Sequence, residues 1–466
     1  MDKKRMLLLY LLVSAVGFVY LVTATKAGIS VLVFMVMQAA MLYFILPKKR
    51  YLLGLAPVFV LALNAFISAN PMWRIPNLFV GLILYGALAV WAVDGMTFKA
   101  PFFGIFVKLG ERIGGALLQA GEPVKWAAAS KAESLPLLRR VLIGVGLSVP
   151  ALIFLLVMLS RADAIFSHGV GRLFNAIFDA MSIRTIGRLW LGGVVGIFMF
   201  GIAYGILLGE DKEAAKPESR HIAGDTMIIN IVLCSVLAVY TLFVGIQFRY
   251  LFAPPDSLPY GLNFVTYARR GFFELLLLTF VNIAFILVAV WLTKTQQNKG
   301  AKFTKGLCMY LCGITVVLLV SSFYRMWLYS TDDGLTRMRL MVFGFLFFEM
   351  IGLVFTFFYI ARPKFNIVLV YCFVALAYYL ALNAVPMDRV IAREQVNRYF
   401  ATGRGGVAYA VSLSPDAAPE IARLLESSAP ETQRLAQNYF DRIESGGGWR
   451  QWNLSRSIAI RSGQTE

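Results

Sequence analysis

The residues best suited to chemistry begin at Tyr267-Ala-Arg-Arg-Gly-Phe-Phe-Glu-Leu275, where two adjacent arginines run into a long apolar segment that carries a carboxylate one turn inside. On a helix Tyr267, Arg270 and Glu274 share one face, so Arg270 is in reach of Glu274. A second carboxylate, Glu349, lies deeper. Counted inward from Leu340 it is nine residues along an apolar run, near the bilayer middle at about 1.5 Å per residue. An uncompensated charge is costly there, so Glu349 is expected to be protonated, paired or facing a wet cavity. Two readings stay open: a protonated glutamate bonded to a neighbouring helix, or a proton or ion relay. The stretch Ser321–Arg339 adds Arg325, Tyr329, Asp332, Arg337 and Arg339, which with Asp163, Arg269 and Arg270 are enough for a polar pocket. Arginine forks suit an anionic headgroup or phosphate.

Other chemistries are poorly supported. Cys234, Cys308, Cys312 and Cys372 all fall in apolar blocks and read as small core residues. Cys308 and Cys312 share a helix face without a third or fourth ligand, and His168 and His221 are the only histidines. A zinc site of the usual kind is therefore not expected, and no other metal or cofactor is called for. The formal charge of +18 sits in short clusters between apolar blocks, as topology signals do, so nucleic acid is not an expected partner.

Repeated blocks of about 20 apolar residues position these groups, giving 59% hydrophobic residues and a mean hydropathy of +0.70. The expected fold is all-α, a polytopic transmembrane bundle of eleven spans. They are placed near 6–24, 28–46, 51–69, 76–93, 141–159, 189–208, 226–247, 272–293, 306–324, 340–361 and 365–385. The run after Lys3, Lys4 and Arg5 is too long for a signal-peptide core and reads as an uncleaved first span. With the N-terminus in the cytoplasm, inner loops carry 22 Lys and Arg and outer loops 12, as the positive-inside rule asks. Of the inner charges 15 are lysine; of the outer, 11 are arginine. Lysine suffices as a hydrated point charge, whereas arginine offers a fork for carboxylate, phosphate or carbonyl. The outer arginines thus either receive a ligand or tie their loops to Asp163, Asp256, Asp332, Asp333 and backbone carbonyls.

Amphipathic stretches at 101–120 and 165–181 suit helices lying along a membrane surface. Pro57 and Pro150 interrupt hydrogen bonding within the third and fifth spans. Gly192 with Gly196, and Gly201 with Gly205, give the sixth span the spacing of close helix contact. No internal repeat is visible, so inverted symmetry is unsupported. Beyond Pro386 the composition changes: residues 388–466 carry ten arginines, no lysine and nine acidic residues. A small extracytoplasmic helical tail is expected, with a helix near 388–400 and further helix starts at Ser414 before Pro415 and at Ser428 shortly before Pro430.

The run Gly261-Leu-Asn-Phe-Val-Thr-Tyr-Ala-Arg-Arg-Gly-Phe-Phe-Glu-Leu275 resembles a bacterial integral membrane family catalogued as domain of unknown function 4173, with its relative 4153. The Arg325-Met326 and Leu328-Tyr329 pairs, Gly334-Leu-Thr-Arg337 and Ala162-Asp163 with Phe166 share the likeness. So do Ile391-Ala-Arg393 with Asn397, Leu413-Ser-Pro-Asp416 and Trp452-Asn453-Leu454, which brings the resemblance to roughly residues 140 to 460. The family often has an acidic residue at Thr266 and a Ser-Ala-Asp-Pro run at Arg161-Ala-Asp-Ala164, so this chain lacks the carboxylate at 266 while keeping Asp163. The resemblance implies a bacterial cytoplasmic-membrane protein and brings no biochemical activity with it.

Three functions fit. In the first, an outer pocket of Asp163, Tyr267, Arg269, Arg270, Glu274, Arg325, Tyr329, Arg337 and Arg339 receives an anionic lipid or solute, and Glu349 couples its movement to protons or ions. In the second, the protein is a non-catalytic sensor or assembly partner that meets another protein through the tail. The third is an enzyme acting on a lipid-linked substrate. Polytopic glycosyltransferases resemble one another in a long acidic first outer loop, and here that loop is only Thr25–Gly28, without a carboxylate.

Overall fold

The computed structural model describes residues 2–23, 28–94, 104–128, 183–208, 225–251 and 272–463, less 294, 297, 364, 404 and 444–447. Every regular element among them is helical. The helices are α1 (Lys3–Val22), α2 (Ile29–Ile45), α3 (Lys49–Ile67), α4 (Pro71–Val93), α5 (Gly104–Leu118), α6 (Glu122–Ala128), α7 (Ile183–Leu207), α8 (Thr226–Leu251), α9 (Phe272–Thr293), α10 (Lys299–Asp333), α11 (Arg337–Ala361) and α12 (Ile367–Ala384). The tail adds α13 (Met387–Thr402), α14 (Val407–Ala410), α15 (Ala418–Ile421), α16 (Pro430–Asp441) and α17 (Leu454–Ser462).

Nine helices among the described residues are long and apolar enough to cross a membrane, and α2 is a shorter apolar one. Ten of the eleven expected spans thus appear as helices. The span at 141–159, Pro150 and the amphipathic stretch at 165–181 lie outside the described residues. Outward faces are apolar: on α11, Phe347, Ile351, Val354 and Phe358 recur at helical spacing and are exposed, while Glu349, Gly352 and Thr356 are buried. This inside-out pattern suits a hydrocarbon solvent. The chain is an all-α, multi-pass membrane protein.

The chain forms two compact units, and α3 and α4 contribute to both. In the first (residues 1–59, 78–95 and 108–212), α7 crosses α1 closely. A Cβ on Gly196 would stand 2.7 Å from the Ala15 Cβ, and one on Gly192 would strike Val19. Gly201 is pressed against the Ala116 backbone of α5, whereas Gly205 has nothing within 4 Å. Three of the four glycines therefore do the packing that their spacing suggests. Inside this unit Gln38 of α2 donates to the Ser14 hydroxyl of α1 at 3.1 Å. Pro57 produces no midspan break. Helix α3 runs as 3₁₀ over Lys49–Leu55 and as α from Ala56, so the proline falls in the first α turn, where its missing N–H costs nothing.

The second unit (residues 60–77, 96–107 and 213–466) holds α8 to α17. Helix α10, 35 residues and about 52 Å long, packs against α8, α9 and α11, and α12 packs on α11. Their core centres on Leu233, Ile286, Cys308, Leu311, Leu346 and Ile360. Helices α13 to α17 wrap a separate small core of Ile391, Val396, Ile421, Leu424 and Tyr439. Asparagines staple α3, α4 and α12 together: Asn64 donates to the Asn383 carbonyl, and Asn77 donates to the Asn383 side chain at 2.8 Å and accepts from Tyr379 at 2.6 Å.

Candidate functional site

Glu349 is the thirteenth of the 25 residues of α11, about 18 Å along the axis from Arg337. It is 2% exposed, in the middle of a span. Thr279 of α9 lies against it, Oγ1 to Oε2 at 2.8 Å. The same hydroxyl lies 2.7 Å from the Leu276 carbonyl, the usual back-bond of a helical threonine. One hydroxyl proton faces two acceptors, and a carboxylic acid at Glu349 donating to Thr279 would resolve the conflict. Glu349 Oε1 has no hydrogen-bond partner among the described residues, nor does any Lys or Arg among them form a salt bridge with this carboxyl.

Polar groups continue along the same interior. Three residues beyond Thr279, Asn282 accepts from Tyr240 of α8 at 2.7 Å and donates to Thr315 of α10 at 3.2 Å. On α11 the spacing Glu349, Gly352, Thr356 keeps one face inward. Gly352 makes room for Tyr371 of α12, whose Oη would lie 2.8 Å from an added Cβ, and Tyr371 bonds to Thr356 at 2.8 Å. Thr279, Asn282, Thr315 and Thr356 are all buried. Five helices therefore enclose a row of hydroxyl, amide and carboxyl groups with Glu349 as its one ionisable acid. Sequence reasoning singled out Glu349 but missed its company. The signal was present in the polar pair Thr279 and Asn282, three apart within the apolar run of α9.

Of the expected outer pocket, Asp163, Tyr267, Arg269 and Arg270 lie outside the described residues, and Glu274 is placed by its backbone alone in the first turn of α9. Of the remaining four, Tyr329, Arg337 and Arg339 lie where α10 turns into α11, and Arg325 stands one turn before Tyr329 on α10. Arg325 and Arg339 are buried, and the Arg339 guanidinium stacks 3.8 Å from the Tyr329 ring centre while donating to the Gly334 carbonyl. Gly334, at φ 77°, ends α10 in a conformation that favours glycine. Arg337 sends Nε and Nη2 to the two oxygens of Asp388 on α13, each at 2.6 Å.

Asp388 is fully buried and also accepts from the Ser414 N–H at 3.0 Å. Burial pushes its carboxyl up, but the Arg337 and Ser414 hydrogen bonds together with the Arg337 charge outweigh that and hold it below its ordinary value. Around this pair Glu394 accepts from Leu335 N–H at 3.0 Å, Gln395 donates to the Leu335 carbonyl at 2.9 Å and Arg398 to the Thr331 carbonyl at 2.7 Å. The α10–α11 turn is thus gripped by α13. The second grip is at the end of α3, where Asp416 accepts from Ser68 and from Ala69 N–H, and Asn453 donates to the Ala65 and Ser68 carbonyls.

No curated protein and no solved structure matches the chain. The family described as Domain of unknown function (DUF4153) matches residues 55–424, a stretch that takes in the polar row around Glu349, the α10–α11 turn and the start of the tail. The chain therefore belongs to the DUF4153 family.

Proposed function

We propose that this protein is a transporter of the bacterial cytoplasmic membrane that moves an anionic lipid or solute, with Glu349 as the group that couples movement to protons. The observation that carries the reading is one buried carboxyl in midspan, bonded on one oxygen to Thr279 and without a described partner on the other. A group so placed is stable as the acid and expensive as the anion, so its protonation state answers to whatever enters the polar row. In this reading the N-terminus is cytoplasmic and residues 388–466 are extracytoplasmic. The arginine-rich face, including Arg269, Arg270 and Arg325, receives the anionic group. The finer likeness to the 4173 family, carried by residues 261–275 together with Ala162-Asp163, Arg325-Met326, Leu328-Tyr329, Gly334–Arg337 and the tail motifs, suits the same face.

The test uses full-length protein in vesicles loaded with a pH-reporting dye and exposed to phosphate, small organic carboxylates or lysophosphatidylglycerol. Wild type should acidify the lumen with at least one of these, and Glu349→Gln should abolish the proton signal while the protein still folds. Equal signals from wild type and Glu349→Gln would remove the coupling role.

A further inference from the structure

A second candidate site lies in the same unit, away from the polar row. The last two turns of α3, the end of α12 and the tail helices α13 and α17 enclose a groove of about 370 Å³, within the range of small-ligand pockets. One wall is Val60, Leu63 and Ile67 of α3, and the other is Leu454 and Ile458 of α17. Leu63, Ile67, Leu454 and Ile458 are each 39–45% exposed, so the two apolar walls face each other without closing. At the rim stands Arg389, its side chain 55% exposed. Its one ion-pair partner among the described residues, Glu420 at 3.3 Å, meets only the Arg389 Nε and is shared with Arg423 at 3.4 Å. The other acid of the groove, Asp416, has both oxygens engaged by Ser68 and Ala69.

We propose that this groove binds an anionic glycerophospholipid, with the phosphate at Arg389 and an acyl segment between the α3 and α17 walls. The depth decides the occupant. The groove opens where α3 and α12, both membrane-spanning by length and composition, reach their ends at Ile67 and Ala384, the level of lipid headgroups. Its α3 wall continues an exposed apolar face of that helix through Leu53 and Val60, and a water-soluble anion would have no use for it. An arginine at that level, beside an apolar cleft, complements a phosphate joined to a chain. The site is separate from Glu349, so either can fail without the other.

The experiment incubates full-length protein in detergent with equimolar phosphatidylglycerol and phosphatidylcholine and reads bound lipid by native mass spectrometry. Wild type should retain phosphatidylglycerol over phosphatidylcholine by about fivefold, the order expected when one arginine at the membrane surface meets a lipid whose phosphate charge no choline cancels. Arg389→Gln should bring the ratio near one, and its exposed ion pair is weak enough for the fold to survive. Leu63→Trp, which fills the cleft, should lower retention of both lipids, and Ile458→Trp on the opposite wall gives the same reading where Leu63→Trp does not fold. Equal retention by wild type, a preference that outlives Arg389→Gln, or displacement of the lipid by inorganic phosphate alone would overturn the proposal.

Discussion

At the scale of single residues, the contact between Thr279 and Glu349 separates a structural carboxyl from a working one. A merely structural acid should tolerate an apolar replacement, because buried polar pairs exchanged for well-packed hydrophobic groups often leave stability unchanged or improved. A working acid should not. Glu349→Gln keeps an oxygen for the Thr279 hydroxyl at the 2.8 Å contact and removes only the titrating proton. Thr279→Val removes the contact and keeps the acid, so it should cost about 1 kcal/mol in a detergent thermal melt, the size of one interhelical hydrogen bond in a membrane protein. It should also shift the pH at which proton coupling is half-maximal in vesicles. A Thr279→Val protein whose coupling titrates like wild type would show that the hydroxyl does not set the behaviour of Glu349.

Between elements, the strongest single tie is the fork from Arg337 at the start of α11 to Asp388 at the start of α13. Arg337→Ala leaves a fully buried carboxylate with only the Ser414 N–H, and should destabilise the tail by about 3 kcal/mol, the lower end for a broken buried pair because Arg337 is 30% exposed. The tie is also acid-labile in a defined direction. Asp388 titrates in the folded protein below its ordinary 3.8, so its contribution is complete above that value and is lost as pH falls through the lower folded value. Limited proteolysis of residues 388–466 between about pH 6 and about pH 3 should therefore accelerate only at the acid end, and Arg337→Ala should flatten that dependence. The α1–α7 crossing gives an independent test. Gly196→Val would drive a branched side chain into Ala15, already 2.7 Å from the first added atom, at about 1–3 kcal/mol in a thermal melt. Gly205→Ala, with nothing within 4 Å, should leave the melt unchanged or raise it slightly, since a helical glycine is about 0.5–1 kcal/mol less favourable than alanine.

At the scale of the whole molecule, apolar length made the spans legible because, closed β-barrels aside, hydrocarbon accepts only a helix of sufficient reach. The same criterion clipped α10: an apolar window closes near 324, yet the helix continues to Asp333, where Ser322, Ser330 and Thr331 turn their hydroxyls onto backbone carbonyls of the preceding turn. The tail's helix starts were readable from local signals, and Pro430 opens α16 with Ala429 ahead of it. What could not be read was the docking of that tail. Asp388 lies 51 residues from Arg337, and Asp416 lies 347 from Ala69. No local pattern encodes either pairing; only folding brings them together. Those pairings constrain sidedness more tightly than any count of lysines, since the end of α3, the α10–α11 turn and the tail are bonded to one another and must share one side of the membrane. The opposite end of α10, at Lys299, is about 52 Å away along the helix and must emerge on the other side. In a protein with Cys234, Cys308, Cys312 and Cys372 replaced, a cysteine at exposed Asn438 should react with a membrane-impermeant maleimide in intact cells, and one at exposed Lys302 only after lysis. Labelling in the reverse pattern would put the tail in the cytoplasm, and with it the arginine-rich face proposed to receive an anion from outside. Labelling of both in intact cells would break the argument that α10 crosses the bilayer.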